Sequence, residues 1–188
     1  DAFAIDPTGR ICFDVGASTG GFTDCLLKRG AKRVYAIDSG RDQLARELRD
    51  DERVVSLEGM NARFLNYDSV GSNADMIVMD VSFISQTLIL PRFQMLLNDG
   101  GEVITLIKPQ FECGREALGK GGIVRKPEHR LSAVRRVISV AEENGLYLHG
   151  LIRSPIEGGD GNVEFLALFT KDKNTLSNEI ILGRVDYK

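Results

Sequence analysis

Four short stretches of the chain combine residue types at spacings that can do chemistry. The run Asp14-Val15-Gly16-Ala17-Ser18-Thr19-Gly20-Gly21 follows an apolar segment and opens a segment of helical period. Such a turn puts backbone N–H groups and small residues where a nucleotide-like ligand can approach closely. Its pattern is GxSTGG, with Ser18 standing where a pyrophosphate-binding GxGxxG loop needs its second glycine. A tight strand-to-helix turn with no ligand is the plainer reading. Asp38 ends the next apolar run, about twenty residues on, where a carboxylate can accept hydrogen bonds from both ribose hydroxyls of an adenosine. A helix cap competes with that role, because Ser39 and a helical pattern follow. Loop and carboxylate together favour the ligand.

Three more residues stand at strand ends: Asp80 in Met79-Asp80-Val81-Ser82-Phe83, Lys108 in Leu106-Ile107-Lys108-Pro109-Gln110-Phe111, and Glu164 after Gly161-Asn162-Val163. Open α/β sheets bind ligands at the carboxyl ends of their strands, so these side chains converge near a ligand's reactive end if the strand order is that of such a sheet. Singly, each reads as a solvated strand end. Pro109 restricts Lys108 to extended geometry. A lysine amine there could take the proton of a poor nucleophile such as a hydroxyl. Burial would lower the lysine's pKa and neighbouring carboxylates would raise it, a balance the sequence leaves open.

The elements that must position these residues follow from apolar periodicity. Strands are predicted at 11–15, 33–37, 54–57, 76–80, 102–107, 147–152 and 163–169, and helices at 21–29, 41–48, 85–97 and 127–144. Pro127 suits a first helical turn, and Gly30, Gly100 and Gly145 are expected helix ends. Alternating strands and helices imply a mostly parallel sheet covered on both faces. The last two strands are joined only by residues 153–162, too few for a crossover helix, so they should pair antiparallel. The expected fold is a Rossmann-like α/β three-layer sandwich of the class I methyltransferase kind, seven-stranded with one antiparallel strand. The domain is expected to span 1–170, with a polar, peripheral tail at 171–188. Residues 111–125, with five glycines, read as a long polar loop of a kind that is often functional.

Composition narrows the class. The chain has 188 residues, 43% of them apolar, which suits one domain with a sizeable core. A net charge of -3 lacks the basic footprint of a nucleic-acid grip, so any RNA surface must be local or supplied elsewhere. Cys12, Cys25 and Cys113 stand apart without zinc spacing, and no metal site is expected. Cys12 and Cys25 sit in apolar patterns, where cysteine is usually a small buried hydrophobe. No run reaches the roughly 18 apolar residues of a membrane span and no signal peptide opens the chain, so a cytoplasmic protein without membrane insertion is expected.

The stretches 14–24, 80–85, 107–112 and 161–165, in that order, resemble the hemolysin A (TlyA) family, an FtsJ-like branch of the class I methyltransferases; the likeness runs from about residue 5 to 169. The resemblance implies S-adenosyl-L-methionine as cofactor, ribosomal RNA or ribosomal subunits as partner, and a ribose 2′-hydroxyl, of cytidine by that likeness, as acceptor. It implies a Lys-Asp-Lys-Glu tetrad whose last three members are Asp80, Lys108 and Glu164. The cofactor set it suggests is Asp14, Gly16, Ala17, Ser18, Gly20, Gly21, Phe22, Thr23, Asp38, Asn61 and Asp80. The tetrad's first lysine and an S4-type RNA-binding module belong upstream of Asp1, and Lys28 and Lys32 cannot replace that lysine by motif. Arg115, Lys120, Arg125 and Lys126 are candidates for phosphate contact, and Phe83 and Phe111 for stacking on a base. Three rival readings remain. A nicotinamide-dependent oxidoreductase is disfavoured by the loop pattern and the antiparallel ending. A noncatalytic RNA-binding or ribosome-assembly module is disfavoured by Asp80, Lys108 and Glu164. A membrane-lytic protein lacks any basic amphipathic segment.

Overall fold

The computed structural model describes residues 2–156, 158 and 161–185. Seven strands, β1 (Ile11–Val15), β2 (Arg33–Asp38), β3 (Val54–Glu58), β4 (Ala74–Met79), β5 (Leu97–Ile107), β6 (Tyr147–Arg153) and β7 (Phe165–Thr170), form one sheet in the order β3-β2-β1-β4-β5-β7-β6. β7 runs antiparallel to both of its neighbours, and the other pairings are parallel. The seven strands, the mostly parallel sheet and the antiparallel pairing of the last two are those expected from the sequence, with ends shifted by a few residues.

The register sets the chemistry's geography. Val15 lies opposite Ile37 and Met79, so the glycine loop, Asp38 and Asp80 leave the sheet side by side. Ile107 lies opposite Phe165, which brings Lys108 and Glu164 to the same edge. One face of the sheet packs Phe13, Ile37, Ile77, Val103 and Phe169 against Val134, Val137, Ile138 and Ala141 of a long helix, α6 (Pro127–Glu143). Those α6 positions follow the helical repeat of a core-facing stripe. The other face packs Cys12, Val34, Met76 and Val78 against Leu26 and Leu27 of α1 (Gly21–Lys28), with Phe3 and Ile5 beside them.

Two predicted helices are mostly absent. Of 41–48, only α2 (Arg46–Arg49) is helical, because Asp42 has a positive φ of 55 and Ala45 is extended, and the Glu58 carboxylate accepts from the amides of Asp42, Gln43 and Leu44 in that turn. Of 85–97, two 3-10 turns, Gln86–Leu88 and Leu90–Arg92, and the single-turn α4 (Phe93–Leu96) remain. Pro91 lacks an N–H there, and the Gln86 amide donates to Glu112. α3 (Tyr67–Val70) and α5 (Pro109–Glu112) are short and were not expected.

Gly30 and Gly145 do follow helices with positive φ, whereas Gly100, at φ 74, lies inside β5 and not at a helix end. Cys25 is exposed, contrary to its apolar pattern, while Cys12 is buried. The segment after Lys171 ends in α7 (Asn178–Val185), whose Ile181 and Val185, four apart, are buried in the main core, so this stretch is not wholly peripheral. Among the described residues no helix is long and apolar enough to cross a membrane.

Candidate active site

The glycine loop spends its amides on itself and on β2. Gly16 and Ala17 N–H donate to the Ile37 carbonyl at 2.8 and 3.2 Å, and Gly20 N–H donates to Ala17 at 2.7 Å. Ser18 N–H donates to Asp38 Oδ2 at 2.8 Å. These four donors are therefore not aimed at a phosphate. Gly16 is irreplaceable on two counts: its φ is +87, and a Cβ would lie 2.2 Å from the Asp80 carbonyl oxygen. That close approach lets the ends of β1 and β4 share one site.

Asp38 also accepts from Gly40 N–H at 2.7 Å, which fixes its carboxylate in a turn after β2; the nearest helix begins only at Arg46, so Asp38 caps none. Glu58, at the end of β3, accepts from the amides of residues 42–44 at 2.9–3.2 Å. Those bonds, led by the Leu44 amide, hold its carboxyl below the usual range.

Between these loops opens a cleft of about 340 Å³. Gly16, Ser18, Asp38, Asn61 and Asp80 of the expected cofactor set line it, with Ile37, Met60, Ile84 and Ile89 supplying apolar wall. Among the described residues no lysine or arginine lines it, and two carboxylates do. Asn61 is itself engaged, its side chain accepting from Arg63 N–H at 3.1 Å. Asp14, Ala17, Gly20, Gly21, Phe22 and Thr23 are not among the lining residues and instead build the strand, turn and first helical turn alongside. Gly20, at φ +100, leaves room that Leu48 of α2 fills, since a Cβ would come within 2.2 Å of its Cδ1.

Asp14 is a buried carboxylate with one oxygen satisfied. Thr23 Oγ1 donates to its Oδ2 at 2.7 Å, while Oδ1 has no partner among the described residues. Burial pushes its pKa up to about 6; the Thr23 hydrogen bonds oppose this, and the carboxylates of Asp80 and Asp38 add to it.

Across the cleft, Lys108 Nζ sits 2.6 Å from Asp80 Oδ1 and donates to Ser82 Oγ at 3.0 Å. The Lys108 side chain is 13% exposed, so its stem is buried and its head is fixed between two partners. Glu164 reaches the same edge but is held differently: Gln110 Nε2 donates to its Oε1 at 3.0 Å, and Gly158 backs it, since a Cβ there would lie 2.6 Å from that oxygen. Of the three expected catalytic residues, Asp80 and Lys108 touch and Glu164 stands beside them on Gln110.

Phe83 is 91% exposed at φ 63, a strained conformation for a bulky residue, and its ring lies 5.2 Å from that of half-buried Phe111. The long loop is tied to the Glu164 segment by buried Asn162, whose Oδ1 accepts from Val124 N–H at 2.9 Å and whose Nδ2 donates to the Gly122 carbonyl at 3.2 Å. Arg115, Lys120, Arg125 and Lys126 are all exposed on this loop. Lys28, at the far end of α1, and Lys32, before β2, stand at the opposite edge of the sheet. Among the described residues no group of three His, Cys, Asp or Glu could hold a metal ion.

Sequence reasoning assigned no role to Ser82, Gln110, Glu58 or Asn162. Ser82 and Gln110 lie inside the motifs already singled out, where a polar residue two positions from Asp80 or Lys108 was a usable signal. Glu58 gave no local signal, since its partners are fourteen to sixteen residues away.

Comparison with known proteins places this arrangement. The FtsJ-like methyltransferase family matches residues 1–171. The Mycobacterium tuberculosis 16S/23S rRNA (cytidine-2′-O)-methyltransferase TlyA is 46% identical over 178 residues, covering 94% of this chain and 66% of that protein. A candidate rRNA methyltransferase of Bacillus subtilis, YqxC, is 48% identical over 165 residues, covering 87% of this chain and 59% of that protein. This chain thus spans less than two thirds of either relative. Among solved structures, a hemolysin candidate from Streptococcus thermophilus superposes with a TM-score of 0.92 at 44% identity, covering 97% of this chain and 67% of that one.

Proposed function

This chain belongs to the FtsJ-like methyltransferase family, and on that premise we propose that it transfers a methyl group from S-adenosyl-L-methionine to a ribose 2′-hydroxyl of ribosomal RNA, with cytidine as the nucleoside. The observation that carries the reading is the Lys108 head fixed at 2.6 Å from Asp80 and 3.0 Å from Ser82, beside a cleft whose lining, among the described residues, holds carboxylates and no cation. A nucleoside bearing a sulfonium suits such a lining, and a pyrophosphate does not. The loop amides argue the same way, because four of them are already taken within the protein.

When bound, S-adenosyl-L-methionine supplies an electrophilic methyl group. Gly16, Ser18, Asp38, Asn61 and Asp80 would hold it, with Asp38 accepting from ribose hydroxyls, while Asp14, Ala17, Gly20, Gly21, Phe22 and Thr23 shape the loop. Lys108 Nζ, as the neutral amine, would accept the proton of the 2′-hydroxyl, freeing an oxygen lone pair to bond the methyl carbon as the carbon–sulfur bond breaks and S-adenosylhomocysteine leaves. Asp80 and Ser82 fix the amine's position. Glu164, steadied by Gln110 and Gly158, keeps a second carboxylate at the edge where the ribose sits. Phe83 and Phe111 offer an aromatic surface for the target base, and the cations of the long loop meet phosphates. Much of the acceleration would come from holding the hydroxyl against the methyl group it attacks, a contribution of up to about 7–11 kcal/mol.

The test is transfer of isotopic label from S-adenosyl-L-methionine to purified ribosomal subunits, followed by nucleoside digestion. Label in 2′-O-methylcytidine supports the reading. Label in a base, or in protein, contradicts it.

A further inference from the structure

Between the two motif segments that bear Ser82 and Lys108 lies a buried polar network that the proposed mechanism does not use. Thr105, Gln86 and Glu112 are 0%, 1% and 2% exposed. Glu112 Oε2 accepts from the Ser85 hydroxyl, and its Oε1 accepts from Gln86 N–H at 2.7 Å. The Gln86 side chain carries the network into β5, donating to the Leu106 carbonyl and accepting from Thr105 Oγ1 at 2.8 Å. Arg136 of α6 donates to the Glu112 carbonyl at 3.0 Å.

The placement matters more than the number of bonds. Ser85 lies three residues beyond Ser82, and Glu112 lies four beyond Lys108 at the end of α5. One carboxylate therefore ties the segment after β4 to the segment after β5, and those two segments bring Ser82 to within 3.0 Å of the Lys108 amine. Burial raises the pKa of Glu112, while the bonds from Ser85 and Gln86 and the charge of Arg136 oppose that rise. A buried carboxylate is expensive where an apolar residue would fill the space, and its cost is offset only when its acceptors are used.

We propose that Glu112 is a positioning residue for Lys108, a latch that holds the post-β4 and post-β5 segments in one register so that Ser82 and Asp80 meet the lysine head. The proposal rests on the role of Lys108 given above. Glu112 does not line the cleft and acts only through Ser85, Gln86 and the short turn of α5.

Hydrogen–deuterium exchange of the protein tests the latch without requiring turnover. In Glu112→Ala, exchange in residues 81–88 and in 107–113 should rise together by roughly tenfold, the loss of about one buried hydrogen bond, with the β1–β2–β3 strands unchanged. Glu112→Gln should restore wild-type protection, because its amide can accept from Gln86 N–H and pair with Ser85. In the labelling assay, kcat of Glu112→Ala should fall on the order of 100-fold, the cost of misplacing reacting groups by about 1 Å, with KM for S-adenosyl-L-methionine unchanged. Exchange that rises only in 107–113, or through the whole sheet, overturns the latch, as does a wild-type kcat in Glu112→Ala. If Glu112→Ala does not fold, Ser85→Ala removes one of the two bonds and must still raise exchange in both segments, or the proposal fails. Absence of transfer by the wild-type protein would defeat the proposed function, whereas the exchange result decides the latch on its own.

Discussion

Around the cleft, Asp38 and Glu58 on the β2–β3 side accept from backbone amides, whereas Asp80 and Glu164 on the β4–β5–β7 side are met by side chains. Asp38 takes the amides of Ser18 and Gly40, and Glu58 takes three successive amides. Asp80 meets Lys108 Nζ, and Glu164 meets Gln110 Nε2. A loop held by backbone donors has one shape whatever its exposed side chains are, which suits a cleft for an invariant ligand. A head group held by other side chains can shift by a rotamer, which suits proton transfer. The comparison predicts that the two sides fail differently: loss on the first appears as weaker binding, and loss of Lys108 or Glu164 on the second appears as slower chemistry with binding intact, Asp80 alone serving both.

The largest expected effect is on the second side. Lys108→Ala should lower methyl transfer by on the order of 10²–10⁴-fold, the range for losing a positioned proton acceptor, in single-turnover assays with ribosomal subunits. Wild-type turnover in that variant would break the contrast.

Asp14 sharpens the comparison from beneath the cleft. Burial pushes its carboxyl up to about 6 from the ordinary 3.8, so the folded state binds the proton more tightly than the unfolded chain. Its contribution to stability is then fully present below pH 3.8 and is lost as pH rises through about 6. At neutral pH the ionised group costs about 2–3 kcal/mol, at 1.36 kcal/mol per pKa unit. Asp14→Asn should therefore stabilise the protein by up to that amount at pH 7, with the gain disappearing as the pH is lowered toward 4, in urea unfolding across that range. A destabilised variant at pH 7 would mean that the unpartnered oxygen has a stabilising partner.

Asp38→Ala comes next and should weaken cofactor binding by about 1.5–3 kcal/mol, the range for hydrogen bonds to a charged group. Part of that loss is indirect, since Ser18 and Gly40 lose their acceptor. The smallest effect belongs to a lysine outside both sides of the site. Lys28 pairs with Asp24 at 2.6 Å on a side chain that is 74% exposed, and Lys28→Ala should change stability by less than about 0.5 kcal/mol and leave transfer unaltered. A loss of transfer would place Lys28 in the site that its position at the far end of α1 argues against.

How much of this was legible in the sequence depended on how local the cause was. The strands followed from apolar runs and the antiparallel pairing of the last two from the short link between them, whereas the order of the strands in the sheet was not read from the residues. The strand-end residues Asp80, Lys108 and Glu164 were legible because the carboxyl edge of an open sheet is fixed once the strands are known. Residues 41–48 and 85–97 read as helices because their periodicity is helical. The positive φ of Asp42, the extended Ala45 and Pro91 break those helices, features that periodicity does not register. Distance along the chain hid the latch, since nothing near Glu112 announces Ser85, twenty-seven residues earlier. Cys25 was misjudged because it adjoins buried Leu26 and Leu27 in sequence but faces outward with Gly21 and Lys28, a division its short apolar run does not reveal.

The account stands most directly on one calorimetric comparison: titration of the wild-type protein and of Lys108→Ala with S-adenosyl-L-methionine and, separately, with NADH. The expected result is binding of S-adenosyl-L-methionine with equal affinity by both proteins and no heat with NADH. Binding of NADH would contradict the reading of the cleft, and loss of S-adenosyl-L-methionine binding in Lys108→Ala would contradict the division of the site into a side that binds and a side that reacts.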